Sequence, residues 1–198
     1  MIRVDLHLHT KFSGDATISP KFVVDSLYAH SLIKGVAVTD HDSLMGYFQM
    51  RKLAQAYEGL VIIPGVEVTT RLGHLILLGV EEKPAYEAPL EIVIDFAKAR
   101  QGIIVIPHPY RVGGIGEAAK ETSADAVETL NSHTGVQENK MAEMLAKMKN
   151  LPGVAGSDAH NHNELWTAYT EVEAEPDIEN VLNAIKRGRV KVASIGHV

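Results

Sequence analysis

Residues 2–9 read IRVDLHLH, an apolar, β-branched run that ends in two histidines. Such a run is typical of a buried strand, and the histidines follow directly on its carboxyl end. Alternate side chains of an extended backbone point the same way, so His7 and His9 can reach one ion together. This stretch therefore predicts a strand that delivers two nitrogen ligands to one edge of a sheet.

The same alternation of apolar runs and helical patterns recurs along the chain and predicts an α/β fold with a largely parallel sheet. Strands are predicted at 2–6, 35–38, 60–68, 74–80, 102–107, 126–130, 153–156, 168–174 and 189–194. Helices are predicted near 20–33, 43–57, 87–100, 136–149 and 177–187, with starts at Pro20, Pro89 and Asp177 and stops at Gly35, Gly59, Gly102 and Gly188. An open doubly wound sheet and a barrel fit this pattern equally well.

The length and composition favour one soluble domain spanning residues 1–198, and the 50 positions between His108 and Asp158 leave no room for an inserted domain. No apolar run reaches the roughly 18 residues of a membrane span, and the N-terminus lacks the apolar region of a signal peptide, so the cytoplasm is expected. The absence of cysteine excludes disulfides and thiolate metal sites. A net charge of −6 without a Lys/Arg run argues against a stable nucleic-acid complex, although bound cations would still attract phosphate locally.

Further candidate ligands follow other predicted strands. Asp158 and His160 repeat the i, i+2 spacing after strand 153–156, His41 and Asp40 follow strand 35–38, and His108 follows strand 102–107. Because the carboxyl ends of parallel strands share one rim, these side chains are expected to meet there.

Glu67 and His74 lie in two predicted strands that a short loop joins. A loop centred on Thr70 and Arg71 would pair residues whose numbers sum to 141, which places Glu67 directly opposite His74. Directly opposed side chains lie about 5 Å apart at Cβ and could share an ion. A three-residue loop would break this register, and no turn signal selects the loop length.

The remaining polar residues give weaker signals. Arg111, three residues after His108, could aim its guanidinium at an anion beside the metals, and equally could be a solvated surface residue. Asp15 lies in a glycine-containing loop, and Glu128 and Asn131 could orient a ligand from outside. We expect His162 to be solvated and His30 and His197 to be structural or exposed, while the role of His133 stays open.

Motifs of competing chemistries are absent. The chain has no G-x-S-x-G elbow for a serine nucleophile, no GxxxxGK[ST] phosphate loop, no GxGxxG after a strand and no HExxH. The histidine and carboxylate motifs therefore favour a metal site.

Six motifs resemble those of the polymerase and histidinol phosphatase (PHP) superfamily, in the expected order: DLHLHT (5–10), TDHD (39–42), PGVE (64–67), GHLILLG (73–79), PHPYR (107–111) and GSDAH (156–160). The resemblance implies a distorted (β/α)7 barrel. It also implies a trinuclear site. The first metal would take His7, His9, Glu67 and Asp158; the second Asp15, His41 and His160; and the third Glu67 as a bridge with His74 and His108. Asp40 would support the site from outside.

The implied activity is a metal-dependent phosphoesterase that hydrolyses phosphate mono- or diesters with metal-activated hydroxide. Two or three divalent ions are expected, and mixed nitrogen and oxygen ligands suit Zn²⁺, Mn²⁺ or Fe²⁺ better than Mg²⁺. Glu67, Asp158 and Arg111 are the residues expected to act in catalysis. The substrate, a small-molecule phosphate ester or a short oligonucleotide, and the oligomeric state are left open.

Two alternatives remain at this level: a metal-dependent C–N or C–O hydrolase, and a metal-bound domain without catalysis. The rim motifs contain no lysine that could be carbamylated, and every ligand motif is intact. His108 and Asp158 are 50 positions apart. That spacing leaves room for one β-α unit and part of the next, so the rim is predicted to be open on this side.

Overall fold

The computed structural model describes residues 1–195, and His197 lies outside them. The strands are β1 (Ile2–Asp5), β2 (Gly35–Val38), β3 (Val61–Thr70), β4 (Gly73–Leu78), β5 (Ile103–Ile106), β6 (Ala126–Asn131), β7 (Gly153–Gly156), β8 (Ala168–Val172) and β9 (Val190–Ser194). The α-helices are α1 (Pro20–Ala29), α2 (Met45–Ala54), α3 (Leu90–Ala99), α4 (Val136–Lys149) and α5 (Ile178–Lys186). Every predicted strand and helix is present, most of them shortened by a few residues.

The nine strands form one sheet in the order β7-β6-β5-β4-β3-β2-β1-β8-β9, which curls into a nearly closed barrel. The strand and helix pattern alone did not distinguish an open sheet from a barrel. The PHP-type barrel that the resemblance implied is confirmed. The expectation of a largely parallel sheet is wrong, since four of the eight strand pairs are antiparallel. One of these pairs follows from the tight β3–β4 turn, which reverses the chain directly. The pairs β4–β5 and β8–β9 are antiparallel although a helix lies between their strands.

The starts of α1 and α5 follow local capping chemistry, whereas one of the predicted glycine stops is wrong. The Ser19 side chain accepts a hydrogen bond from the Phe22 N–H ahead of Pro20, and Asp177 caps α5 in the same way. Gly35 does not end α1, which stops at Ala29; it starts β2 instead. A Cβ at Gly35 would lie 2.8 Å from the Val4 side chain, so the close packing of β1 on β2 requires this glycine.

Apolar side chains fill the end of the barrel that lies opposite the polar rim. Val181, Ala184 and Ile185 of α5 pack against inward-facing residues from strands around the barrel, including Val4 and Ile63. This burial anchors the strands whose other ends carry the polar residues. No helix within residues 1–195 has the length and apolarity needed to cross a membrane.

Candidate metal centre

The structure brings all nine predicted ligands to one rim of the barrel. Strand ends and the loops that follow them supply most of these residues, while Glu67 and His74 lie within β3 and β4. Side-chain nitrogen or oxygen atoms of the nine make a continuous chain of contacts shorter than 4 Å: His7, His9, Asp15, His41, Glu67, His74, His108, Asp158 and His160. The predicted meeting of these residues is therefore observed, and their role as ligands stays a prediction.

Four of these residues form a buried group that we call the deep set: His7, His9, Glu67 and Asp158, each at most 1% exposed. Nε2 of His7 lies 3.1 Å from Nε2 of His9. Oε2 of Glu67 and Oδ1 of Asp158 each lie 3.2 Å from both nitrogens. Five of the six distances among these atoms are thus nearly equal, and the sixth is within 4.8 Å.

This arrangement fits a tetrahedral metal ion. Ligand bonds of about 2.0 Å imply about 3.3 Å between ligand atoms at tetrahedral geometry, close to the observed spacing. Oδ1 of Asp158 is buried without a hydrogen-bond partner, which a native protein rarely leaves uncompensated. The donor chemistry, the spacing and the unpaired oxygen together indicate a cation site.

Residues outside the deep set contact His7, His9 and Asp158 and orient their side chains. Nδ1 of His7 lies 2.9 Å from Oε1 of Glu128, and Nδ1 of His9 lies 2.9 Å from Oγ of Ser13. Oδ2 of Asp158 forms a salt bridge with Arg111 at 2.7 Å and accepts a hydrogen bond from Asn131. Each contact occupies the outward atom, so the other atom of the same group is left for an ion.

Asp15, His41 and His160 form a second group, the open set. Oδ2 of Asp15 lies 3.4 Å from Nε2 of His41 and 3.3 Å from Nε2 of His160. Side-chain exposures are 51% for Asp15, 22% for His41 and 25% for His160. His160 is oriented through Nδ1, which lies 2.7 Å from the backbone oxygen of Asp158. This group can also hold a cation, and it faces solvent.

A third group surrounds the other oxygen of Glu67. Nδ1 of His74 and Nε2 of His108 each lie 3.0 Å from Oε1 of Glu67, while Nδ1 of His41 lies 3.4 Å from Oε2. The geometry groups His41, Glu67 and His74 as possible ligands of one ion. Nδ1 of His41 and Nδ1 of His74 are buried without hydrogen-bond partners, which again favours a cation.

The predicted register between β3 and β4 is wrong. Paired residue numbers sum to 143 rather than 141, so Thr69 lies opposite His74 and Ile76 lies opposite Glu67. A two-residue turn centred one position later than expected causes the shift. Glu67 and His74 still meet because diagonal neighbours on one face of a sheet remain within reach of long side chains.

Charge coupling within the deep set shifts its pKa values. Burial lowers the pKa of His7, but the carboxylates of Asp158, Glu128 and Glu67 outweigh it and raise that pKa well above its usual range. Burial likewise lowers the pKa of His9, but the neighbouring carboxylates of Asp158 and Glu67 outweigh it and raise that pKa to about 9. Without metal, the imidazoles therefore hold protons where a cation would sit.

The two carboxylates shift in the opposite direction. Burial raises the pKa of Glu67 and of Asp158, and the histidines around them, chiefly His7, hold both values well below the usual range. Both groups are therefore ionised, as metal ligands must be.

Four polar residues outside the nine candidate ligands make contacts of their own. Asp40 bonds the backbone and hydroxyl of Thr10, so it fixes the loop after β1 rather than touching a histidine. Ser13 was not predicted, although its position four residues after His9 in the same short loop was a usable signal. His133 lies 3.3 Å from Glu164, and the exposed His162 stacks on Phe22 with ring centres 4.1 Å apart.

Comparison with family models identifies the family of this chain. The family model of the PHP domain matches residues 5–101, and that of the PHP-associated region matches residues 136–190. The chain belongs to the PHP superfamily. Two uncharacterized proteins of Methanocaldococcus jannaschii are similar to this PHP protein. One is 28% identical over 144 residues, covering 67% of this chain and 83% of the relative, and the other is 27% identical over 178 residues, covering 85% and 69%.

Solved structures share the barrel of this PHP protein at low sequence identity. A two-domain protein of Bacteroides vulgatus, described as containing a predicted PHP-like metal-dependent phosphoesterase, superposes with a TM-score of 0.80 at 19% identity over 98% of this chain. The match spans only 64% of that protein. An amidohydrolase of Chromobacterium violaceum gives a TM-score of 0.68 at 18% identity, covering 81% of this chain and 88% of that one.

Proposed function

We propose that this PHP protein is a metal-dependent phosphoesterase that hydrolyses phosphate mono- or diesters. The observation that carries the proposal is the deep set: four buried donor atoms at nearly equal spacing, one of them without any hydrogen-bond partner. Glu67 also contacts His74 and His108 through its other oxygen, which supports a role for this carboxylate in more than one ion site. Membership of the PHP superfamily supports a hydrolase at the general level.

Different residues of the site have different roles in such a reaction. When bound, divalent ions would supply Lewis acidity and a source of hydroxide near neutral pH. Glu67 and Asp158 hold the negative charge that binds cations, and Glu128, Ser13 and Asn131 hold the ligands in position. Arg111 anchors Asp158 and is 28% exposed, so its outer face can meet a phosphate oxygen at the rim.

The proposal includes two or three divalent ions chosen from zinc, manganese and iron, and a single PHP domain located in the cytoplasm. The deep and open sets support two ions, and the third group supports another. A nucleotide, a short oligonucleotide or a small-metabolite phosphate fits a rim whose open set reaches solvent.

A hydrolysis screen tests this function. Protein reconstituted separately with Zn²⁺, Mn²⁺ and Fe²⁺ is assayed against phosphomonoesters, cyclic phosphates and short oligonucleotides, with amides and lactones as a second panel. We expect metal-dependent phosphate release from the first panel. Asp158→Asn should lose this activity. Turnover confined to amides or lactones would replace the proposal with a C–N or C–O hydrolase. Metal uptake without any turnover would support a binding domain.

A further inference from the structure

The barrel closes at a seam between the residues that follow β1 and those that follow β7. In the sheet order β7 lies at one end, whereas β1 pairs with β2 and β8. Beyond the strand ends, Leu8 and Ala159 form a parallel bridge. Across the same seam, the Asp158 N–H donates to the His7 carbonyl at 2.7 Å, and the His9 N–H donates to the Ala159 carbonyl at 3.0 Å.

This seam carries four of the candidate ligands. His7 and His9 lie on one side, and Asp158 and His160 lie on the other. A relative slip of the two segments would change the spacing between the donor atoms of the deep set, which lie only 3.1–3.2 Å apart. The geometry of the deep set therefore depends on whatever holds the two segments in register.

Asp5 holds both sides of the seam with one carboxylate. It is fully buried at the end of β1. Its Oδ1 accepts the His7 N–H at 3.2 Å and the Ser157 N–H at 2.9 Å. Its Oδ2 accepts the Ser157 hydroxyl at 2.5 Å. Each of the two oxygens thus bonds the residue that immediately precedes Asp158, and one also bonds His7.

The backbone at the seam shows how close this approach is. A Cβ at Gly156 would lie 2.3 Å from the Cβ of His7 and 2.6 Å from its backbone nitrogen. Real side chains do not tolerate such distances, so only glycine permits the contact. The seam is therefore built for one register.

We infer that Asp5 and Ser157 form a clasp that positions the ligands of the deep set by locking the two ligand-bearing segments together. Asp5 makes no contact with the inward donor atoms, so it is a positioning residue. The inference rests on the proposed function only in that the deep set binds metal. Outer partners of metal ligands commonly change affinity by about 10- to 100-fold when they are removed.

The test uses the whole protein with Asp5→Asn, Ser157→Ala and, as a matched control, Asp95→Asn, which removes an exposed acid of α3. Zinc affinity is measured by competition with a chromophoric chelator. We expect affinity at the tightest site to fall about 10- to 100-fold in Asp5→Asn and less in Ser157→Ala. The control should bind like the parent protein. Unchanged affinity in a folded Asp5→Asn variant overturns the positioning role, and Ser157→Ala decides alone if Asp5→Asn does not fold.

Amide hydrogen exchange on metal-free protein provides an independent readout. The N–H groups of His9 and Asp158 donate the hydrogen bonds that cross the seam. We expect these two amides to exchange at least about tenfold faster in both clasp variants. Amides between β2 and β3 serve as internal references. Unchanged exchange at both seam amides overturns the clasp whatever the metal does. If the parent protein takes up none of Zn²⁺, Mn²⁺ and Fe²⁺, the proposed function fails, and exchange still decides whether the clasp exists.

Discussion

The deep set and the open set share a rim but differ in their surroundings. Every member of the deep set is buried, and three of the four are also held from outside by a further group, such as Glu128 behind His7. In the open set, Asp15 is half exposed and both of its histidine partners reach solvent. Charges in a low dielectric interact strongly, whereas exposed charges are screened by water. The deep set should therefore bind an ion tightly and keep it, and the open set should exchange its ion.

Removing a carboxylate of the deep set is expected to have the largest effect on turnover. Asp158→Ala should lower turnover by at least about 1,000-fold, because it removes a ligand and several kcal/mol of charge stabilisation. The fold should survive, since Asp158 belongs to none of the apolar clusters of the core. Steady-state kinetics and elemental analysis measure the change. His162→Ala is the control and should match the parent; equal loss in both variants would show that the ligands near residue 160 are misassigned.

Removing the open carboxylate should have a smaller effect. Asp15→Ala should lose one metal equivalent while the deep equivalent stays, and turnover should fall about 10- to 100-fold. Metal content after gel filtration, together with turnover at saturating added metal, measures both. If Asp15→Ala strips all metal, the two sets form one cooperative unit and do not bind their ions independently.

The rate at which a chelator removes metal should also differ between the deep set and the open set. With excess chelator, metal should leave in two phases, a fast one from the open set and a slow one from the deep set. Asp15→Ala should lack the fast phase. Release followed by a chromophoric chelator gives both rates, and a single phase in the parent protein would contradict the distinction.

Arg111 should affect substrate more than metal. Arg111→Ala removes a partly exposed guanidinium that forms a salt bridge with the outward oxygen of Asp158. We expect KM to rise about tenfold across all phosphate substrates, as for loss of one charge-assisted hydrogen bond. Arg187→Ala, an exposed arginine after α5, is the control. A KM increase for one substrate alone would show that Arg111 recognises a specific group.

The pH dependence should run in opposite directions with and without metal, with effects of a few kcal/mol or less. The raised pKa of His9, about 9, stabilises the metal-free fold fully below pH 6.5, and this contribution is lost as pH rises through about 9. Zinc affinity should rise over the same interval, because the metal replaces the proton. Urea unfolding with chelator and zinc titrations at matched pH measure both; parallel trends would contradict the proton–metal exchange.

Much of this protein follows from local sequence. The paired spacing of His7 with His9 and of Asp158 with His160, each after a β-branched run, is enough to predict strands that deliver ligands to a rim. The periodicity of apolar residues and the secondary-structure propensity of each residue are local properties of the sequence. Every strand and helix could therefore be located from the sequence. The spacing between His108 and Asp158 likewise predicted the β6-α4-β7 segment that the structure contains.

The tertiary structure decided the rest, because it depends on residues distant in sequence. The β3–β4 register changed by one turn position, which no local signal specified, yet the diagonal contact kept Glu67 beside His74. Asp15 gained its partners only when the loops after β1, β2 and β7 met in space. Closure of the barrel likewise brought Asp5 against Ser157, 152 positions away. Sequence spacing determines which face a ligand occupies, whereas the distance between ligands from different strands is determined by how the barrel packs and closes.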